Sequence, residues 1–448
     1  MKTDRSMNTH ALSWLAPYKP SSENPWDAAA AAHLLRRTAL FHDRTRMAET
    51  LEDGPEASVR KLLEGSRPGP EQEAHEQSFA LVLAGESRRD LRAWWWYRLL
   101  VDAHPLRSRM DLFWHDHFAT GLSKVRNTRW MAEQLMVFDR LGLGRFGDLL
   151  ETVAKGPAMI RWLDNESNVK GRANENFARE LMELFTLGRD QYSEKDIKEV
   201  ARAFTGWRIR QNAFFFDHSR HDRGEKTILG KKGRFDGDDV LKIVLEQKSC
   251  AWFIAGKLLA CFVGPGYPKA AQEELAAHLR RNDGRIDMTL DLLLRSRLFF
   301  DPRHRGTRIR GPVEWMIWAL RSLGAKAAPD RLQRAAREMG QELFEPPDVS
   351  GWDEEEAWIN AATWIHRHNL ASALGQSGLH PDLEVLVPAE GARAELTFLL
   401  RTWFPEGLPE AERQDLERRL GSLDAQPRNK RLALMFESLL MLPRAHRF

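Results

Sequence analysis

Two carboxylates and one short loop crowded with histidine and acid are the groups in this chain best suited to chemistry. Glu180 and Glu183 stand three apart on an expected helix and share a face with Arg172, Asn176 and Arg179. Carboxylates at that spacing repel, so either a pKa rises to make a general acid or a cation settles between them. Downstream, Asp217, His218, His221, Asp222 and Glu225 fall within nine residues, with Lys226 next. The run begins ten residues after Trp207, close enough for it to fold back against the Glu180 face. In such a cleft Glu180, Glu183, His221 and Asp222 would carry acid–base chemistry, with Asp222 orienting His221. Asn176, Arg179, Arg172, Lys226 and Trp207 would contact the substrate. A divalent metal there would take His218, His221 and Asp222, with His117, as ligands, a donor set that suits Zn, Mn or Fe better than Ca. The spacing matches no established zinc or EF-hand pattern. A plainer reading competes with this one: Glu175, Arg179 and Glu183 recur at i, i+4 and could form a solvated ion-pair ladder.

His115 and His117 flank Asp116 in the apolar run FWHDHF. On a helix, residues two apart diverge by about 200°, so at most one of these histidines can face a given site. The pair His366 and His368 falls under the same restriction.

The elements that must position these groups are helices. Phe177, Leu181, Leu184 and Phe185 lie on one arc of an amphipathic helix over Ala173 to Leu187, which Gly188 closes. Ser193, with Glu194 and Asp196 in the following turn, starts a second helix whose stripe is Ile197, Val200, Ala201 and Phe204. From 207 to 235 the texture changes to short apolar bursts between glycines, which predicts a small hairpin or irregular excursion. Elsewhere helical periodicity dominates, while within the segment Glu52 to Glu76, rich in Gly, Pro and Glu, the run RPGPEQEAHE predicts a surface loop. The expected fold is all-α, a large multi-helix globular body carrying that excursion. A polar segment over 1–25 precedes a main domain over 26–370, and a helical hairpin over 371–448 packs on it.

The runs NENFARELMELFTLG and YSEKDIKEVARAFTGW resemble the signature of a large bacterial family catalogued only as domain of unknown function 1800. PWDAAAAAHLLRRTALF, FWHDHF, HDRGEKTILG and MGQELFEPPDVSGWDEEEAWINAATWIHRHN agree in the same order, from Trp26 to Asn369, and the tail LMLPRAHRF resembles the family's ending. The resemblance implies one large folded unit rather than several, and places the Glu180 face inside a family motif. It carries no activity. Relatives are often encoded beside a second family that resembles sulfatases and phosphatases, which implies a partner of that kind, and many relatives are thought to be exported.

Composition excludes several classes. The 448 residues hold 67 basic and 64 acidic side chains, a net charge of +3 mixed along the chain, too even to point to nucleic acid. No run of 18 apolar residues spans a membrane, so a soluble protein is expected. The opening 25 residues lack an apolar signal core, and the only two cysteines, Cys250 and Cys261, stand eleven apart on one expected helix, beyond disulfide reach. A cytoplasmic location is the expectation. No G-x-S-x-G elbow, phosphate loop or dinucleotide fingerprint occurs. Two function classes remain: a carboxylate and histidine enzyme, acid–base or metal-assisted and hydrolytic, or a non-catalytic binding or assembly protein whose 16 tryptophans hold a polymer or a partner.

Overall fold

The stretch around Glu180 folds as its end signals dictate. In the computed structural model, which describes residues 13–65, 69–101, 104–325, 327–376, 387, 391–420 and 423–448, the second helix runs over Glu194–Ala203. It opens on a full capping box, with the Ser193 side chain receiving the Asp196 N–H and the Asp196 carboxylate receiving the Ser193 N–H. The preceding helix ends at Gly188 in the left-handed region, as expected. Its start is shorter than periodicity suggests. Arg172 sits outside it, in a tight turn bridged to Val169, and regular α-helix covers only Asn176–Glu180. Leu181–Thr186 then widens into a π-helix, in which the Thr186 hydroxyl bonds the Leu181 carbonyl at 2.6 Å. The wider turn shifts the register after Glu180, so a projection at 100° per residue holds only for the first half.

The excursion after this pair consists of two hairpins. Trp207–Arg210 pairs antiparallel with Ala213–Phe216, and Lys226–Ile228 with Lys231–Gly233. Each is closed by two residues at positive φ, Gln211 with Asn212 and Leu229 with Gly230, the tight connection whose twist matches the strands. All other regular elements of the described residues are helical, so the all-α class with a β excursion near 207–235 holds. None of these helices is long and apolar enough to cross a membrane.

The loop expected over RPGPEQEAHE is corrected from Pro70 onward, its first two residues lying outside the described residues. Arg44–Glu64 and Pro70–Gly85 are helices, each accommodating its proline where a helix tolerates one. Gly54 leaves helical geometry at φ 76°, so Pro55 begins a fresh first turn, and Pro70 occupies the first position of its own helix.

Two long buried helices form the centre. Lys248–Phe262 buries Ile254, Ala255, Leu258, Leu259 and Phe262 and carries both free cysteines, and Pro105–His117 is buried along most of its length. The C-terminal part is tied to this centre by charge. Arg36 pairs with Glu406 at 2.7 Å, Arg310 donates to the carbonyls of Ala445 and Arg447, and Arg367 donates to Arg310 O and meets the His446 ring. The Ala361–Gln376 helix runs without a break across the boundary expected at 370. Replacing Ser193 by Ala removes one half of the capping box and should lower stability by about 1 kcal/mol. Urea unfolding checks this, and no loss would mean that the box does not hold the helix start.

Candidate active site

The residues picked out by sequence settle into two groups with no contact partner in common. On the first helix, Glu183 accepts from Arg189 Nε at 2.9 Å and from the Tyr192 hydroxyl at 3.0 Å, and Arg179 bridges Glu175 to Glu194 on the second helix. Asn176 donates to the Leu163 carbonyl at 3.1 Å, which makes it a clamp on the helix start. Burial, then the neighbouring Glu183 carboxylate, raises the Glu180 pKa, and Arg179 pulls it back. The direction is that expected of carboxylates three apart.

The histidine loop folds against the second helix, on Arg202 and Thr205. Asp222 pairs with Arg202 Nε at 2.9 Å, which, with the Gly224 N–H, holds its carboxyl down to about 2. His221 is buried with Nδ1 3.0 Å from the Thr205 carbonyl, and burial lowers its pKa. Lys226 is 1% exposed and donates to the carbonyls of Asp222 and Gly224. Trp207 is buried against Phe204 and Phe214. His218 lies against Phe216. These contacts lock a loop in place. The expected metal donors His218, His221, Asp222 and His117 do not converge: His117 packs among Phe113, Phe118 and Phe185, and among the described residues no three His, Cys, Asp or Glu side chains are arranged to hold a metal ion.

A different constellation does converge. A cavity of about 180 Å³ is lined by Asp116, His117, Lys257, Cys261, Arg109 and Arg308, with Glu314, Glu354, Trp352 and Trp358 among its other walls. The Pro105–His117 helix supplies Arg109, Asp116 and His117, the Lys248–Phe262 helix supplies Lys257 and Cys261, and the loop after Pro346 supplies Trp352 and Glu354. The two histidines of FWHDHF diverge as helix geometry requires. His115 turns into an aromatic nest of Trp95, Phe344 and Trp352, and its Nε2 accepts from the Phe344 N–H at 3.2 Å. His117 Nε2 lies 3.1 Å from the Phe185 carbonyl. A carbonyl only accepts, so Nε2 carries the proton and Nδ1 is a bare acceptor, buried without a protein partner. Burial and the nearby Lys257 ammonium push the His117 pKa down to about 3, so the ring is neutral near neutrality.

The Asp116 carboxyl also borders this cavity. Burial raises its pKa to about 7; the Trp352 N–H opposes this and Glu354 reinforces it, while Lys257 and Arg308 pull downward. The carboxyl keeps a little accessible surface only because it borders the cavity, and protein atoms crowd its other sides. One of them is the backbone of Gly351, at φ 94°. A Cβ there would stand 2.3 Å from Asp116 Oδ1, so glycine alone lets the chain pass and present the Trp352 N–H at 2.8 Å. Around this carboxyl, Arg109 pairs with Glu314, and Arg308 Nε with Glu355 at 2.9 Å. Burial alone would raise the Glu314 carboxyl, but Arg109 and Arg308 outweigh it and hold the pKa below its ordinary value. Lys257 makes no hydrogen bond or ion pair to any described residue.

Sequence reasoning named His117 from this set and passed over Asp116, Lys257 and Arg308. A signal for Asp116 was present in FWHDHF, where a helical acid stands among bulky apolar residues, and a second was the glycine of DVSGW. Lys257 and Arg308 lie in runs whose local pattern reads only as helix and loop.

The arrangement defines a class: a predominantly helical protein with a small cavity of about 180 Å³ lined by arginines, acids and two tryptophans. The chain matches the family described as "Protein of unknown function (DUF1800)" over residues 33–445, and it belongs to that family. No curated protein and no solved structure matches it.

The raised Asp116 pKa sets a pH dependence of stability. The folded protein binds this proton more tightly than the unfolded chain, so the contribution is complete below the ordinary value of 3.8 and is lost as pH rises through about 7. Relative to Asp116→Asn, the wild type should therefore lose stability across that window by up to roughly 4 kcal/mol, less in proportion to the solvent reaching the carboxyl. Urea unfolding of both proteins at pH 5 and pH 8 measures it, and an unchanged difference would remove the raised carboxyl.

Proposed function

We propose that this protein is an acid–base enzyme acting on a small molecule, with Asp116 giving and taking the proton in the cavity between the Pro105–His117 and Lys248–Phe262 helices. The observation that carries the reading is the juxtaposition there of an enclosed carboxyl, a neutral imidazole with an unpartnered nitrogen, an unpaired ammonium and a thiol. A carboxyl titrating near neutrality is present in both forms, so it can serve as acid in one step and base in the next. His117 does not charge in this range and offers Nδ1 as a fixed acceptor that orients a substrate hydroxyl, amine or water. Lys257 supplies positive charge where negative charge would develop. Hydrolysis, with Asp116 drawing a proton from water, is the simplest reaction these groups support. The sequence reading of a carboxylate and histidine enzyme thus keeps its chemistry and moves to a different carboxylate.

The Glu180 face supports this site from outside. Phe185, on the π-helix, fixes the His117 tautomer through its carbonyl, and the charge of Asp348, in the loop that carries Trp352, bears on Glu180. Two measurements test the proposal together. Carbon-13 spectra should contain an aspartate carboxyl titrating near 7 that disappears in Asp116→Asn. Incubating the wild type with a small-molecule cell extract should consume at least one metabolite, by mass spectrometry, that the folded Asp116→Asn protein leaves untouched. A carboxyl in the ordinary range, or equal consumption by both proteins, would defeat the assignment.

A further inference from the structure

A second, larger cavity shares no lining residue with the one beside Asp116. It is a groove of about 1280 Å³, lined mainly by parts of four helices, Arg44–Glu64, Pro312–Ser322, Ala392–Trp403 and Arg428–Leu440. Small-molecule pockets commonly span roughly 300–1,000 Å³, so this one has room for an extended ligand. Its lining sorts by exposure. Trp318, Leu399, Trp403 and Phe436 are buried and make an apolar floor, in which the Trp403 ring lies 5.3 Å from both the Trp318 and the Phe436 ring. Arg44, Arg393 and Arg401 are exposed and so stand where the groove opens.

Charge on this lining is one-sided. Four guanidinium groups, those three and Arg321, stand against a single carboxylate, Asp43. That carboxylate is already engaged, because it caps the Arg44–Glu64 helix by accepting the Arg46 N–H at 2.8 Å. Arg44, Arg393 and Arg401 form no ion pair with any described residue. Arg44 sits 4.8 Å from the centre of the Phe398 ring, and Arg321, which also donates to the Leu100 carbonyl, sits 4.9 Å from that of Phe41. A ring face holds a guanidinium without using its N–H donors, so those of Arg44 stay available. Phe398 lies between Arg393 and Arg401 along their helix, so either of them can close on a group held by Arg44. His42 adds no charge: burial, then the guanidiniums of Arg36, Arg310 and Arg46, push its pKa down to about 3, with Glu406 opposing. An inorganic anion would leave the apolar floor unused, and a neutral hydrocarbon would leave the arginines unused.

We propose that this groove binds an amphipathic anion, a hydrocarbon chain ending in a carboxylate, with the chain on Trp318, Trp403 and Phe436 and the head on Arg44 with Arg393 or Arg401. Burial of the chain supplies affinity, and charge-assisted hydrogen bonds to the guanidiniums select the acid. The site is independent of the acid–base reading of the Asp116 cavity, so either can fail alone.

Calorimetric titration with sodium decanoate, below its micelle concentration, tests it, with sodium acetate as the head alone and decanol as the chain alone. The wild type should bind decanoate at least roughly tenfold more tightly than decanol, and acetate not measurably. Replacing Arg44, Arg393 and Arg401 together by Gln changes only exposed side chains, and should bring decanoate down to the affinity of decanol. Ala48→Trp fills the groove from an exposed lining position without altering charge, and should weaken both chain-bearing ligands by at least roughly tenfold. Circular dichroism confirms that each variant is folded. No binding of decanoate, acetate bound as tightly as decanoate, or affinity unchanged in either folded variant overturns the proposal. Phosphatidylglycerol vesicles present the same chemistry from a membrane: binding to them without binding of free decanoate assigns the groove to a lipid surface and overturns it too. So does a dimer in sedimentation that Ala48→Trp dissociates, since a second copy would then be the occupant.

Discussion

A single hydrogen bond, from the Trp352 N–H to Asp116 Oδ1 at 2.8 Å, joins the loop after Pro346 to the buried Pro105–His117 helix beside the cavity. It requires a chain segment to pass within contact of a carboxyl on a buried helix, which only a residue without Cβ, in the left-handed region, can do. Gly351 meets both conditions. With the segment in place, Trp352, Trp358 and Ile309 pack as a small apolar cluster separate from the main core, and the cavity lies between cluster and core. The bond also limits the carboxyl: one oxygen is occupied by a neutral donor, which offsets part of the cost of burial and leaves the pKa near neutrality rather than far above it.

The second constraint is electrostatic. Burying guanidinium groups is costly unless each finds carbonyls, carboxylates or an aromatic face. This protein uses all three. Arg109 takes a carboxylate and two helix-end carbonyls, Arg310 takes carbonyls and the rings of Trp318 and Phe448, and Arg308 takes Glu355 and the Cys261 carbonyl. These bonds join residues 36–39, 109, 261, 308–314 and the last residues described, segments far apart in the chain. The arginines thus do for the fold what a disulfide does in a smaller protein.

How much of this could be read from the sequence depended on the range of the interaction. Ser193, Gly188 and the apolar stripe of Ile197 to Phe204 announced their helix because caps and periodicity act within a few residues, and the excursion over 207–235 stood out for the same reason. The loop expected over RPGPEQEAHE failed from Pro70 onward because glycine and proline were read as breakers, whereas Pro70 occupies a first turn, where proline fits. The cleft between Glu180 and His221 followed from counting residues. The loop found nearer partners in Arg202 and Thr205, whose guanidinium and carbonyl satisfy Asp222 and His221 without a longer reach. Asp116 was hidden by its neighbours: two histidines drew attention, and its two marks, an acid in FWHDHF and the glycine of DVSGW, stand more than two hundred residues apart, so no local pattern joins them.

The Glu180 motif remains to be placed, because a family signature with so polar a face invites a direct role. Its geometry favours an indirect one. Both faces of this helix bear on the cavity through intermediaries: the inner face through the Phe185 carbonyl that sets the His117 tautomer, the outer face through the charge of Asp348 on the loop that carries Gly351 and Trp352. The Phe185 carbonyl is open to this contact because it lies in the last turn of the helix, ahead of Gly188, where carbonyls have no partner further along the helix. The polar residues at the helix start, Asn174 and Asn176, clamp it to the Asp164–Ser167 turn and to Leu163, fixing where the wide turn begins. On this account the signature positions the one carbonyl oxygen that meets His117 on the neighbouring helix.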